Sequence, residues 1–246
     1  MLDEAGVRGL RWRAQRLAPR DGSGDPVAVV RAVAAIQSQD PGAAALALRA
    51  RGAGFTAADV ERARVEDRSL IRTRWPRDTI HLVATEDADW TRRLLAPAFL
   101  EARARRRHKI GLDDDLVAAA RTAIPAALQD GPRTRGEIGE RLRAGGLDVS
   151  GQQVDHLVST VVLDGVVCDG PDQGHDRTWV LLRDWADVPE GPSGDVALAE
   201  LARRHLAGHG PADPRDLAAW AGLAAGEGSA AARGPPPSPY SRPSPD

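Results

Sequence analysis

The sequence predicts a mainly α-helical protein with small β-hairpin wings, built from tandem winged-helix modules. Two observations predict this fold class. Three helical segments followed by two short strand-like runs occur twice along the 246 residues. Each pair of strand-like runs is also separated by turn-forming residues, which is typical of a hairpin. The order of helix, helix, helix and hairpin is that of a winged helix.

The first module is expected over residues 1–112. Its helices have recognisable starts, because proline suits the first turn of a helix and threonine caps it. The predicted helices cover residues 26–36, residues 41–51, a third segment opened by the Thr56 cap, and residues 86–107 with a break or kink at Pro97. The predicted strands cover residues 70–73 and 79–83, joined by a Trp-Pro-Arg-Asp turn.

The second module is expected over residues 113–190. Thr134 and Glu137 have the spacing of a capping box, and Ser150 caps the next helix. The predicted elements are helices over 115–128, 134–143 and 150–163, strands over 166–168 and 179–182, and a wing over 171–177. The third helix of such a module suits a DNA groove, although a fold alone does not establish function.

Residues 191–223 are expected to begin a third helical module. The stretch over 224–246 is rich in Pro, Gly, Ala and Ser and has no apolar periodicity. Such a composition buries too little apolar surface to offset chain entropy, so a disordered tail is expected there.

The composition indicates which partners and which cellular compartment suit the protein. The formal net charge is −2, and Lys109 is the one lysine among 33 basic residues. Arginine suits phosphate contacts because its planar guanidinium binds two oxygens at once, and local patches of charge matter more for DNA binding than net charge does.

The single cysteine, Cys168, cannot form an internal disulfide, so a reducing cytoplasm is the expected compartment. Cys168 is expected to be a buried strand residue rather than a nucleophile. No stretch has the length and apolarity of a membrane span, and none resembles a signal peptide.

Gln37 and Gln39 stand two residues apart at the junction between two predicted helices, followed by Asp40 and Pro41. Residues i and i+2 share one side of an extended chain but not of a helix. A carboxamide carries an acceptor and two donors and stays neutral, so a converging pair can hold and orient a water molecule. From the residues alone, two solvated amides at a helix end are the favoured interpretation.

Other site types have weak signals. The sequence has no Gly-rich phosphate loop, no serine-nucleophile elbow and no cysteine cluster. His205 and His209 have the spacing of one helix face, but the glutamate of a zinc-protease motif is missing, so no metal site is expected.

Three segments together resemble the AlkZ/YcaQ family of bacterial DNA glycosylases. They are AIQSQDP at 35–41, LIRTRWPRDTIHLV at 70–83 and HGPADPRDL at 209–217. The first resembles the family's active-site motif, the second its paired strands with Arg, Thr and His in order, and the third the opening of its later helical module. The resemblance extends from about residue 8 to 223.

The resemblance implies tandem winged helices and a monofunctional glycosylase that hydrolyses the N-glycosidic bond of alkylated (bulky or cross-linked) purines. It implies that Gln37 and Gln39 are catalytic and position the attacking water. An alkylated purine is cationic and leaves as a neutral base, so strong acid catalysis is not required. Asp40 is adjacent and offers a carboxylate, but a helix N-cap is its simpler role. The implied partner is double-stranded DNA, with no membrane, no metal and no organic cofactor, for a monomer in the cytoplasm on the nucleoid.

Further residues are candidates for the site or for DNA contact, with ordinary hairpin roles as the alternative: His81, Arg72, Thr73, Arg77 and Thr79. A basic run and three arginines around the second helix-turn-helix are candidates for phosphate contact, with solvated helix charges as the alternative: Arg103, Arg105, Arg106, Arg107, Lys109, Arg133, Arg135 and Arg177.

Chains of this family usually continue beyond the point that corresponds to residue 224 into further winged-helix and β-rich structure. The loss of pattern there suggests truncation or a shifted reading frame near residue 224. Two rival hypotheses therefore stay open: a non-catalytic winged-helix DNA-binding or regulatory protein, and an inactive truncated member of the family.

Overall fold

A computed structural model describes residues 3–18, 22, 24–224 and 226. In these residues the chain is mainly helical and has two small antiparallel sheets of three strands each, which confirms the predicted fold class. The tail expected to be disordered, residues 224–246, lies almost entirely outside the described residues.

The N-terminal part combines five helices with the first sheet. Its helices are α1 (Glu4–Ala14), α2 (Pro26–Val33), α3 (Pro41–Arg51), α4 (Ala57–Val65) and α5 (Thr85–Arg107), and its strands are β1 (Ile36–Gln37), β2 (Leu70–Arg74) and β3 (Ile80–Ala84). The strand order is β1-β3-β2. Thr56 and Asp59 form a capping box at the start of α4, and α5 continues past Pro97 to Arg107.

The following part repeats the arrangement. Its helices are α6 (Asp114–Ala127), α7 (Arg135–Ala144) and α8 (Gly151–Leu163), its strands are β4 (Arg133–Thr134), β5 (Val167–Asp169) and β6 (Thr178–Leu181), and α9 (Leu182–Trp185) follows. The strand order is β4-β6-β5. The capping boxes at Thr134 and Ser150 are present. The chain then forms α10 (Gly194–His209) and α11 (Pro214–Ala221).

Three apolar clusters hold these elements together. One lies under the first sheet among α2, α3 and α4 and includes Leu48 and Leu82. A second fills the space among α6, α7, α8 and the second sheet and includes Ile138. The third joins the opposite face of the first sheet, at Ile71, to Trp90 of α5 and to strands and helices of the later segments.

The sequence prediction was wrong at one functionally important place. The helix expected over 26–36 ends at Val33, because Ala34 adopts a left-handed φ of 69°. Ile36 and Gln37 then pair with β3 as an edge strand. Arg133, which lies outside the predicted helices and strands, likewise pairs with Trp179 in β4. The sequence also gave no indication of α1 or α9.

Candidate active site and DNA interface

The two glutamines lie on one side of an extended segment. From Ile36 to Gln39 the side chains alternate between buried and exposed, with both glutamines exposed. Ser38 lies between them, and its backbone N–H donates to the carbonyl of Ile80 at 2.8 Å, so the strand-like geometry continues past β1. Gln37 Nε2 donates to Gln39 Oε1 at 2.5 Å.

The contact between the amides leaves hydrogen-bonding capacity for a third group. Gln37 keeps its oxygen and one N–H, and Gln39 keeps its NH₂ group. The pair therefore offers an acceptor and several donors within a few ångströms, which is what orienting one water molecule requires. Asp40 is engaged as the N-cap of α3 and accepts from the N–H of Ala43 at 2.9 Å.

Gln37 belongs to a row of polar residues across the first sheet. It pairs with His81 of β3, and His81 pairs with Thr73 of β2 on its other side. Residues paired directly in an antiparallel sheet point to the same face, with Cβ atoms about 5 Å apart. The register thus brings three of the predicted site residues, one from each strand, onto a single face.

His81 is buried and uncharged at neutral pH. Burial lowers its pKa to about 4, the hydrogen bond with Thr79 opposes this fall, and the charge of Arg77 adds to it. Its Nδ1 lies 3.1 Å from the carbonyl oxygen of Thr79, a contact in which the ring nitrogen must donate. Nε2 is then the acceptor nitrogen of a neutral imidazole. His81 therefore offers a lone pair to the site rather than a positive charge to a phosphate.

The residues at the hairpin turn support His81. Thr79 Oγ1 donates to the carbonyl of Pro76 at 2.9 Å and lies 3.5 Å from His81 Nδ1. Arg77 is exposed and has a left-handed φ of 55°. The ring of Trp75 meets His81 edge-on, with 6.1 Å between ring centroids.

Arg72 occupies the protein interior, which corrects its candidacy for DNA contact. Its side chain is 1% exposed, and its Nε donates to Asp169 Oδ2 at 2.7 Å. Its two terminal nitrogens donate to Asp172. Because the guanidinium is buried and engaged by two carboxylates, it binds the second module's wing to the first sheet and has no surface left for a phosphate.

The basic run at the end of α5 divides into paired and unpaired side chains. Arg103 donates to Asp78 at 2.6 Å, Arg105 lies 3.3 Å from Glu101, and Arg107 pairs with Asp114. Arg106 and Lys109 are exposed, and neither has an ion-pair partner within the described part of the chain. These two are the cations of the run that are free for another anion.

The three arginines of the second module also differ. Arg177 forms a bidentate ion pair with Asp169 and lies over the ring of Trp179. Arg133 is half-buried in β4 and donates to the carbonyl of Pro132 at 3.0 Å. Arg135 is exposed and lines a cavity of about 540 Å³ with His175 of the wing.

Sequence reasoning missed several polar residues that share this basic region. Arg74 at the end of β2 and Gln152 and His156 on α8 line one cavity with Arg106 and Lys109. Gln152 and His156 are four residues apart and so lie on one face of a predicted helix, which was the available signal. Nothing local indicated that this face meets the end of α5.

The described residues contain no group of three or more His, Cys, Asp or Glu side chains that could hold a metal ion. His205 and His209 stack on each other with centroids 4.8 Å apart, beside Trp220. Within the same residues, no helix combines the length and apolarity needed to cross a membrane.

Comparisons with known proteins identify the family of the chain. A protein-family model described as DNA glycosylase AlkZ-like matches residues 30–235. Among solved structures, the Streptomyces sahachiroi DNA glycosylase AlkZ is similar, with a TM-score of 0.68 and 24% sequence identity. This similarity shows a shared fold; it covers 88% of this chain and 63% of that chain, so the chain spans less than two thirds of that protein. No curated protein matches the chain. Because the family model matches most of its residues, the chain belongs to the AlkZ-like DNA glycosylase family.

Proposed function

We propose that the protein is a monofunctional DNA glycosylase that hydrolyses the N-glycosidic bond of alkylated purines in double-stranded DNA. The observation that carries the proposal is the contact between the neutral amides of Gln37 and Gln39, both of them exposed, with Gln37 paired to the uncharged His81. Family membership supports the reaction class, and the amide geometry supports water as the nucleophile.

The chemistry requires little acid or base strength. Alkylation at a ring nitrogen makes the purine cationic, so the C1′–N bond breaks with its electron pair leaving on the base, which departs neutral. Positive charge then develops on the sugar at C1′. Water held by the glutamine pair adds to C1′ and loses a proton to solvent, which yields a free base and an abasic site in an uncut strand.

Three neutral groups have defined roles in this proposal. The amide oxygen of Gln37 accepts a hydrogen bond from the water, and the NH₂ of Gln39 donates to it. The Nε2 lone pair of His81 orients the same water or faces the developing positive charge. Polar groups fixed in advance stabilise such charge without reorganising during the reaction. Thr73 and Thr79 keep His81 in place from the neighbouring strand and from the turn.

The proposal places the protein as a monomer on the chromosome in the cytoplasm, bound to duplex DNA, without a metal or organic cofactor. The bulky or cross-linked adducts expected for the family fit an exposed amide pair, since a site open to solvent accepts a large base substituent. Because both glutamines are exposed, the reaction does not require the base to flip into a closed pocket.

The test is base release from duplex DNA that contains 7-methylguanine. Chromatography should detect free 7-methylguanine, and the strand should stay intact until alkali cleaves the abasic site. A protein that binds duplex DNA but releases no base from this or a bulkier N7 adduct would be a non-catalytic binding protein instead, and a sequence preference in binding would identify it as regulatory.

A further inference from the structure

A cavity of about 430 Å³ lies between the end of α5 and the third helix of the second module, α8. Arg106 and Lys109 line it from one side, and Gln152 and His156 line it from the other. Neither the amide pair nor His81 lines this cavity. It is therefore separate from the candidate active site.

Positive charge exceeds negative charge around the cavity. Asp78 accepts from both Arg74 and Arg103, so one carboxylate faces two guanidinium groups. Arg106 and Lys109 add two cations with no ion-pair partner in the residues the structure describes. Asp155 is the carboxylate that lines the cavity, and it is exposed.

Two further lining residues, Gln152 and His156, are neutral donors. The carboxamide of Gln152 has two N–H groups. The pKa of His156 is lowered, first by burial and then by the charge of Arg103, so its imidazole is neutral and keeps one N–H. Cations and neutral N–H donors that surround one cavity are the groups that bind phosphate oxygens.

The cavity meets the first sheet at Arg74. Arg74, one of its lining residues, pairs with Ile80, and the carbonyl of Ile80 accepts from the N–H of Ser38. Ser38 and Arg74 therefore lie on one rung of the sheet and point to the same face, whereas Gln37, His81 and Thr73 on the adjacent rung point to the opposite face.

We propose that this cavity binds one backbone phosphate of duplex DNA, held by Arg106 and Lys109 as cations and by Gln152 and His156 as neutral donors. The inference rests on the proposed function for the identity of DNA as the partner. The phosphate contact positions the duplex where the end of α5 meets α8. Arg103, Arg105 and Arg107 stay in their ion pairs.

Binding to undamaged duplex DNA as a function of salt concentration tests the proposal. The double variant Arg106→Gln, Lys109→Gln is compared with a control that loses the same charge elsewhere, Arg8→Gln, Arg203→Gln; both control side chains are exposed on other helices. The slope of log K against log salt should become shallower by about 0.9 in the cavity variant. The control should keep the wild-type slope. Thermal melting followed by circular dichroism checks that both variants are folded.

Several outcomes would overturn the proposal. An unchanged slope in the cavity variant, or an equal loss in the control, would show that the cavity holds no phosphate. A loss of about 1.8 would mean two phosphates rather than one. Inorganic phosphate at constant ionic strength should not reduce wild-type binding to the level of the cavity variant; if it does, the site serves a free phosphate.

The failure of this proposal is distinguishable from the failure of the catalytic one. The salt series uses undamaged DNA and does not depend on base release. A wild-type protein that shows the expected slopes but releases no alkylated base would contradict the proposed activity alone. Conversely, base release with unchanged slopes in the cavity variant would contradict the phosphate site alone.

Discussion

Arg72 and Asp169 form a buried ion pair between the first sheet and the second wing. Nε of Arg72 lies 2.7 Å from Oδ2 of Asp169, and the two side chains are 1% and 2% exposed. A terminal nitrogen of the Arg72 guanidinium donates to Asp172, and Arg177 donates to Oδ1 of Asp169. Because Arg72 is next to Thr73 in β2, this pair fixes the strand that flanks His81 relative to the second module.

Replacing Arg72 should destabilise the protein strongly. Arg72→Met leaves two carboxylates without their buried cation, and removal of one partner from a buried pair costs about 3–5 kcal/mol. We expect the free energy of unfolding to fall by an amount near the lower end of this range, since Arg177 still pairs with Asp169. Urea unfolding followed by circular dichroism measures the change.

Arg121→Met is the matched control for that variant. Its ion pair with Asp164 at 2.8 Å is partly exposed on the Arg side, so the substitution should cost less than about 1 kcal/mol. Equal losses for the two variants would show that the buried position of Arg72 has no special role.

Stability should fall as the pH is lowered from 7 to 5. Burial lowers the pKa of both His81 and His209 to about 4, so the unfolded chain takes up protons below about pH 6.5 while the folded chain does not. The contribution of each histidine to the free energy of unfolding is fully present above pH 6.5 and is lost as the pH falls toward 4. Between pH 7 and 5 the free energy of unfolding should fall by about 2 kcal/mol per histidine. Urea unfolding at both pH values should show a smaller difference for His209→Gln, and equal differences would refute this assignment.

Gly208→Ala should destabilise the protein although it lies in a helix. A Cβ there would be 2.8 Å from Cα of Val33, so α10 and α2 would have to separate, at a cost of about 1–3 kcal/mol. Gly9→Ala in α1 has no atom within 4 Å of the new Cβ and should stabilise by up to about 1 kcal/mol. The melting temperatures of the two variants should therefore shift in opposite directions, and a higher melting temperature for Gly208→Ala would contradict this packing.

Cys168 should not react with thiol reagents in the folded protein. It is 1% exposed in β5, and burial raises the pKa of its thiol. A chromogenic disulfide reagent at pH 8 should modify it only at the rate of unfolding, and fully in urea. Rapid modification of the native protein would contradict its buried position.

The helix starts were predictable because their signals are local. Thr56, Thr134 and Ser150 each accept from a backbone N–H three residues later, as capping residues do. The two main hairpins were predictable for a similar reason, since β-rich runs and turn residues are adjacent in the chain.

The parts that sequence reasoning missed depend on contacts between distant residues. Two-residue strand β1 has no periodicity of its own and exists because β3, over 40 residues later, pairs with it. The partners of Arg72 are 97 and 100 residues away, so a buried arginine had the appearance of an exposed strand residue. For the same reason the cavity between α5 and α8 was not foreseen, although three of its four cationic residues, Arg103, Arg106 and Lys109, were candidates for phosphate contact.

The most direct measurement of the central claim is the single-turnover rate of base release by glutamine variants on duplex DNA that contains 7-methylguanine. Gln37→Ala and Gln39→Ala should each lower the rate by about 10²-fold or more and leave DNA affinity unchanged, whereas the exposed Gln129→Ala should keep the wild-type rate. Wild-type rates in both site variants would contradict the claim that this amide pair positions the attacking water.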